Sequence, residues 1–307
     1  MAKVAIIGSG NVGATLGFVL AARNVADIAL IDIVEGVPEG KALDISQSLA
    51  ILGSTVSVTG GNDYALAKGA EIVVITAGSP RKPGMTRDEL AAINHRIVTN
   101  VAKQVARHAP ESILVIVTNP LDAMTTTAQS VTGFPKERVM GMAGTLDTSR
   151  FRHFISKVSG HPARDVQCMV LGCHGDDMVP LTSAATVSSI PLETMLPAED
   201  IATAVQRTRK GGAEIVNLLK TGSAFYAPAV SIMQLIEAIL HDEKAILPVA
   251  AWLDGEYGIS GVYLGVPAVL GKAGVEKVVE LNLPSEELAA LRKSAEHVRE
   301  VVEGLGK

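Results

Sequence analysis

Lys3-Val4-Ala5-Ile6-Ile7-Gly8-Ser9-Gly10-Asn11-Val12-Gly13 is the stretch that decides the fold. The first five residues carry an apolar run that reads as a buried strand. From Asn11 to Arg23 the apolar positions Val12, Leu16, Val19 and Leu20 share one helical face. Between strand and helix stand three glycines in the pattern G-x-G-x-x-G. Gly8 permits a tight turn, Gly10 lets backbone approach a pyrophosphate, and Gly13 lets helix pack closely on strand. The helix N-terminus adds unpaired N–H groups and a partial positive charge. Glycine patterns recur in many turns, so the context matters. Here an acid, Asp32, ends the next apolar run, 19 residues after Gly13, close to the spacing of about 20 for a ribose-binding carboxylate. Asp32 would repel a 2′-phosphate, and no arginine follows closely to welcome one. NAD is therefore expected rather than NADP.

Outward from this unit, strands and helices alternate. Val4–Ile7, Ile28–Ile31, Val56–Thr59, Ile72–Ala77, Ile113–Val117 and Val139–Met142 read as strands. Arg87 to His108 is a long helix with Leu90, Ile93, Ile97, Val101 and Val105 on one face. Such alternation predicts right-handed crossovers and an open parallel sheet with ligands beyond the strands' carboxyl ends. The pattern stops near Gly144. Beyond it, Gln167–Gly172 is a strand candidate, Ile201–Leu219 and Ala227–Leu240 are helices, and Ile246–Leu253 and Gly261–Leu270 read as antiparallel strands. Ser285, after Pro284, opens a last helix to about Glu303. The expected fold is α/β: a Rossmann doubly wound parallel sheet, residues 1–144, followed by an α+β domain, residues 145–307.

Bulk properties fit. Hydrophobic residues make up 48% of 307, charged residues 19% and aromatics only 3%. A core of Val, Ile, Leu and Ala suits parallel strands covered on both faces. Net charge is −5 without a basic cluster, which argues against nucleic acid as a partner. Cys168 and Cys173 are too few for a disulfide scaffold and lack metal-site spacing. No signal peptide and no transmembrane run of about 18 residues is evident, so a soluble cytoplasmic protein without a metal is expected.

Four further segments carry chemistry. Pro80-Arg81-Lys82-Pro83-Gly84-Met85-Thr86-Arg87 places two guanidinium groups in a Pro/Gly-rich loop at the sheet edge, suited to closing over an anion. Asn119, in Thr118-Asn119-Pro120-Leu121-Asp122, follows the fifth strand. In Leu146-Asp147-Thr148-Ser149-Arg150-Phe151, the i, i+3 spacing puts Asp147 and Arg150 on one helical face. In Gly172-Cys173-His174-Gly175-Asp176, a strand end delivers an imidazole, the natural proton carrier near neutral pH. Cys173 points the other way in an extended segment and reads as a packed thiol.

These motifs, with Ala77-Gly78-Ser79-Pro80, resemble the lactate/malate dehydrogenase family, specifically the lactate-dehydrogenase-like branch of its malate dehydrogenases. The likeness runs in unchanged order to about residue 265. One departure is Cys173, where many relatives carry Glu. The resemblance implies an NAD-dependent oxidoreductase of the tricarboxylic acid cycle, interconverting (S)-malate and oxaloacetate as a homo-oligomer, usually a tetramer. His174 would be the proton carrier and Asp147 its orienting acid. Arg150 would hold the C1 carboxylate, Arg87 would polarise the C2 carbonyl and Asn119 would bond the substrate oxygen or the nicotinamide side. Arg81 would select the distal carboxylate, where lactate dehydrogenases carry glutamine. The cofactor cleft would be formed by Gly8, Gly10, Asn11, Gly13, Asp32, Gly78, Asn94, Val117 and Asn119. The alternatives are a dehydrogenase for lactate or another 2-hydroxy acid, and a non-catalytic NADH-sensing module.

Overall fold

The computed structural model describes residues 1–80 and 85–305, with only the backbone of Arg87. The elements run β1 (Lys3–Ile7), α1 (Asn11–Ala22), β2 (Asp27–Ile31), α2 (Val37–Leu52), β3 (Val58–Gly61), β4 (Ile72–Ile75), α3 (Arg87–His108), β5 (Ile113–Ile116), α4 (Leu121–Thr132), β6 (Val139–Gly141) and α5 (Gly144–Ser159). Five short strands follow: β7 (Val166–Gln167), β8 (Val170–Leu171), β9 (Val179–Pro180), β10 (Thr186–Val187) and β11 (Ile190–Pro191). Then come α6 (Leu192–Met195), α7 (Ala198–Leu219), α8 (Tyr226–Leu240), β12 (Ala245–Asp254), β13 (Ser260–Gly271), β14 (Gly274–Val278) and α9 (Ser285–Leu305).

β1 to β6 form the expected parallel sheet, in the order β6-β5-β4-β1-β2-β3. The order reverses between β1 and β4, which opens a crevice at their carboxyl ends. Side chains alternate across the sheet. Val4 and Ile6 join Leu16 and Leu20 of α1 on one face. Ala5 and Ile7 join Val98 and Val101 of α3 on the other. Burial on both faces explains why these strands read as unbroken apolar runs.

The second half differs from expectation in two places. The antiparallel pair β12–β13 does form, in register from Ala245 opposite Leu270. It does not stand apart, however: β12 pairs antiparallel with β6 through Ala250 and Gly141, so one nine-stranded sheet runs through both halves. The single strand expected over Gln167–Gly172 is split. Val166–Gln167 pairs with β10, whereas Val170–Leu171 pairs with β9. At the start of β8 the Val170 N–H donates to Thr148 Oγ1 of α5 at 3.0 Å.

Candidate active site

The glycine turn is built as a cradle. Gly8 has φ of 108°, and a β-carbon there would lie 2.5 Å from Thr76 Oγ1 and 2.6 Å from the Ala77 nitrogen. A β-carbon at Gly13 would run into the Gly8 carbonyl oxygen. Gly10 faces open space, with nothing within 4 Å of where its β-carbon would be. It caps α1 without a side-chain hydrogen bond, so the first-turn N–H groups are left for a ligand. These features fit a dinucleotide pyrophosphate.

Asp32 stiffens the cradle. Its Oδ2 accepts the Ser9 N–H at 2.6 Å and its Oδ1 accepts the Val34 N–H at 3.1 Å. Each oxygen keeps a lone pair, so the carboxylate can still receive a ribose hydroxyl. Lys41 of α2 donates its Nζ to the Ser9 carbonyl. That contact escaped the sequence, because nothing in a lysine nine positions beyond Asp32 marks it.

The opposite rim is organised by Asn94. Its side chain is buried and fully engaged: Oδ1 accepts the Ser79 N–H at 2.7 Å, and Nδ2 donates to the Ser79 and Asn119 carbonyls at 3.2 and 2.7 Å. Asn94 thus joins the segment after β4 to the segment after β5 through its backbone partners. Gly78 is small for a related reason, since a β-carbon there would lie 2.5 Å from Thr118 Cγ2 and 3.2 Å from Asn94 Oδ1. Val117 is half-buried at the end of β5, its N–H bonded to the Ile75 carbonyl at 2.9 Å. Asn11 and Asn119 are exposed, and the Asn119–Pro120 bond is cis. Arg81 lies outside the described residues, as does the side chain of Arg87.

Across the cleft, α5 delivers Asp147 and Arg150. Gly144 lets the start of α5 approach β12, and Thr145 Oγ1 donates to the Pro248 carbonyl at 2.8 Å. The His174 loop is pinned from three sides. The Gly172 N–H meets the Gly265 carbonyl of β13 at 2.8 Å. The Cys173 N–H meets Ser294 Oγ of α9 at 2.8 Å, and the His174 N–H meets Asp122 Oδ2 of α4 at 3.1 Å. Asp147 then divides its oxygens: Oδ2 takes His174 Nδ1 at 2.7 Å, and Oδ1 takes Arg150 Nη1 at 3.0 Å. Only 2% of the Asp147 side chain is exposed. Burial opposes a charged His174, as does Arg150. The charge and hydrogen bond of Asp147, helped by Asp122, outweigh both and lift the imidazole pKa above its ordinary value.

Residues 2–141 match the family described as lactate/malate dehydrogenase, NAD binding domain, and residues 144–305 match the lactate/malate dehydrogenase alpha/beta C-terminal domain. The chain belongs to the lactate/malate dehydrogenase family. Among relatives, it is 49% identical over 303 residues to a malate dehydrogenase of Roseiflexus sp. (strain RS-1), covering 99% of this chain and 98% of that one. It is 51% identical over 300 residues to a malate dehydrogenase of Heliobacterium modesticaldum (strain ATCC 51547 / Ice1), covering 98% and 97%. Among solved structures, it is similar to the malate dehydrogenase of Cryptosporidium parvum, with a TM-score of 0.97, 41% identity and 99% of each chain covered. It is equally similar in fold to the lactate dehydrogenase of the same organism, complexed with lactic acid and nicotinamide adenine dinucleotide. There the TM-score is 0.97 and the identity 42%, with 100% and 98% covered.

Within this family member, two further groups stand beside His174: Asp122, which was not singled out from sequence, and Cys173, which was read there as a packed thiol. Asp122 is 5% exposed, and its Oδ1 is buried without a hydrogen-bond partner among the described residues. Burial pushes its carboxyl up to about 6, against the His174 N–H and charge that pull it down. With His174 and Asn119 it lines a cavity of about 490 Å³. Cys173 is 5% exposed, and its thiol is pushed up to about 12 by burial and by Asp122. It is a packed thiol rather than a nucleophile.

Proposed function

We propose that the chain is an NAD-dependent malate dehydrogenase, with the cofactor held by residues 1–144 and the substrate by residues 145–307. The observation that carries this is the shared carboxylate of Asp147, which binds the His174 imidazole on one oxygen and the Arg150 guanidinium on the other. When bound, the nicotinamide supplies or accepts the hydride. Everything else is work for side chains of this chain.

In oxaloacetate reduction, protonated His174 gives its Nε2 proton to the C2 oxygen. In malate oxidation, neutral His174 takes the hydroxyl proton. Asp147 keeps Nδ1 protonated, so Nε2 faces the substrate, and it stabilises the imidazolium. Arg150 offers a two-point fork to the C1 carboxylate, which orients C2. Arg87 polarises the C2 carbonyl and Asn119 bonds the substrate oxygen. Asp32, Gly8, Gly10, Asn11 and Gly13 hold the adenosine and pyrophosphate end. Gly78, Val117 and the Asn94-clamped rim border the nicotinamide end.

Arg81 selects malate over lactate. A distal carboxylate would pair with its guanidinium, whereas pyruvate would leave that charge desolvated at a cost of about several kcal/mol. Thr221-Gly222-Ser223-Ala224 would form the facing wall, with small residues that leave room for the extra carboxylate. Lactate oxidation is the second reading, favoured by the close structural likeness to a lactate dehydrogenase. Turnover of oxaloacetate and pyruvate with NADH separates the two. Oxaloacetate should be strongly preferred, and Arg81→Gln should shift preference toward pyruvate. Equal or better use of pyruvate by the wild type would refute the malate assignment. His174→Asn should abolish turnover and spare NADH binding, and NADH binding without any wild-type turnover would point to a sensor. No helix among the described residues is long and apolar enough to cross a membrane. We place the enzyme in the cytoplasm as a homotetramer. Exposed apolar side chains on α8, Tyr226 and Val230, favour association, and sedimentation measures it.

A further inference from the structure

Gly211 and Gly212 sit side by side in the interior of α7, and neither has a positive φ that calls for glycine. Glycine is a poor helix former, second only to proline, so two in succession need a cause. That cause lies across the α5–α7 contact. A β-carbon at position 211 would lie 3.1 Å from Arg150 Cδ and 3.6 Å from Nε. At position 212 it would lie 3.6, 3.9 and 4.0 Å from Nη2, Nη1 and Cζ. Both terminal nitrogens lie nearer than Cζ, so Gly212 stands obliquely off the Nη1–Nη2 end of the guanidinium, while the side-chain stem crosses Gly211. By contrast, Gly40 in α2 has nothing within 4 Å.

Arg150 has one hydrogen-bonded anchor among the described residues. Nη1 is fixed on Asp147 Oδ1 at 3.0 Å. Nε is buried with no hydrogen-bond partner among the described residues, and 13% of the side chain is exposed. No side chain of α7 reaches it at these two positions, because there is none.

We infer that Gly211 and Gly212 are positioning residues for Arg150: their bare backbone sets the depth at which the side chain lies and keeps a side chain away from its Nη1–Nη2 end, where a substrate carboxylate would be gripped. This rests on Arg150 being the carboxylate grip. Moving Arg150 by a few tenths of an ångström would disturb the two-point fork; a misplacement of about 1 Å can cost about a hundredfold in rate, and a smaller shift correspondingly less. It would also loosen the Arg150–Asp147 pair, whose other oxygen serves His174.

The test compares Gly211→Ala, Gly212→Ala and Gly40→Ala with wild type in Tm, in NADH and oxalate affinity of the intact protein, and in KM and kcat for oxaloacetate. Gly211→Ala should raise KM and weaken oxalate binding about tenfold, spare NADH binding, and leave Tm unchanged or higher, since alanine favours helix. Gly212→Ala, at ordinary contact distance, should change KM by less than about threefold, and Gly40→Ala should change only Tm. KM and oxalate affinity of Gly211→Ala within twofold of wild type would overturn the inference. A second comparison reads Tm alone. In an Arg150→Ala background, Gly211→Ala should stabilise more than in wild type, and an equal effect in both backgrounds would also overturn it. Neither oxalate binding nor this cycle needs turnover, so their failure is distinct from failure of the malate assignment, which wild-type turnover decides.

Discussion

At the scale of single residues, the proposed chemistry centres on one imidazole, His174, and two carboxylates beside it, Asp147 and Asp122. The His174 pKa lies above its ordinary value, chiefly through Asp147 working against burial. In the proposed mechanism oxaloacetate reduction needs the imidazolium, so its rate should hold to higher pH than a free histidine allows and fall above the raised pKa. Asp147→Asn removes the charge and reverses the shift. Steady-state pH profiles should show the alkaline limb of reduction moved to lower pH, with kcat reduced on the order of a hundredfold. Asp122 expresses its own raised pKa in stability. Its native pKa of about 6 exceeds that of an unfolded aspartate. Its favourable contribution is therefore fully present below about pH 4 and lost as pH rises through about 6. Asp122→Asn keeps an acceptor for the His174 N–H and removes the buried charge. It should raise Tm at pH 8 by several degrees, an effect of about 2 kcal/mol, and leave Tm at pH 4 nearly unchanged. Melting curves at the two pH values check this. A residue such as Asp122 was quoted in its motif but not singled out, because its neighbour His174 is 52 positions away.

At the scale of elements, the β1–turn–α1 unit was legible almost to the residue. Its signals are local: an apolar run, glycines at fixed offsets and a helical stripe. Gly13→Ala drives a β-carbon into backbone that cannot rotate away. NADH affinity should drop more than tenfold and Tm should fall, both measurable by fluorescence titration and calorimetry. Helix α4 was not legible, and its composition explains why. Thr125, Thr126 and Thr127 are weak helix formers, yet each hydroxyl bonds back to the carbonyl four residues earlier, at 2.9, 3.0 and 2.9 Å. The strand broken between Gln167 and Val170 was hidden for another reason. Thr148, which takes the Val170 N–H, lies 22 positions away on α5. The two glycines of α7 likewise carry no local meaning until Arg150 is seen against them.

At the scale of the whole molecule, the strand–helix alternation up to Gly144 marked a sequence boundary, but the sheet continues through β12 to β14. One core joins Val4, Ile6 and Leu16 to Ile232, Leu264 and Leu291. Unfolding should therefore be one cooperative transition in calorimetry, and NADH at a hundred times its Kd should stabilise the whole chain by about 2.7 kcal/mol. A fragment ending at residue 143 would expose the β6 edge and half of that core, and should aggregate. Two separate transitions would contradict this. The packed thiols give this unity a practical use. Cys168 lies in the break of the split strand and Cys173 just beyond β8; they are 8% and 5% exposed, and both are pushed up to about 12. An alkylating reagent at neutral pH finds neither in the folded chain, whereas each becomes an ordinary reactive thiol once the chain opens. The protein thus carries its own chemical clock: the rate at which label accumulates counts opening events directly, without dye, tag or mutation.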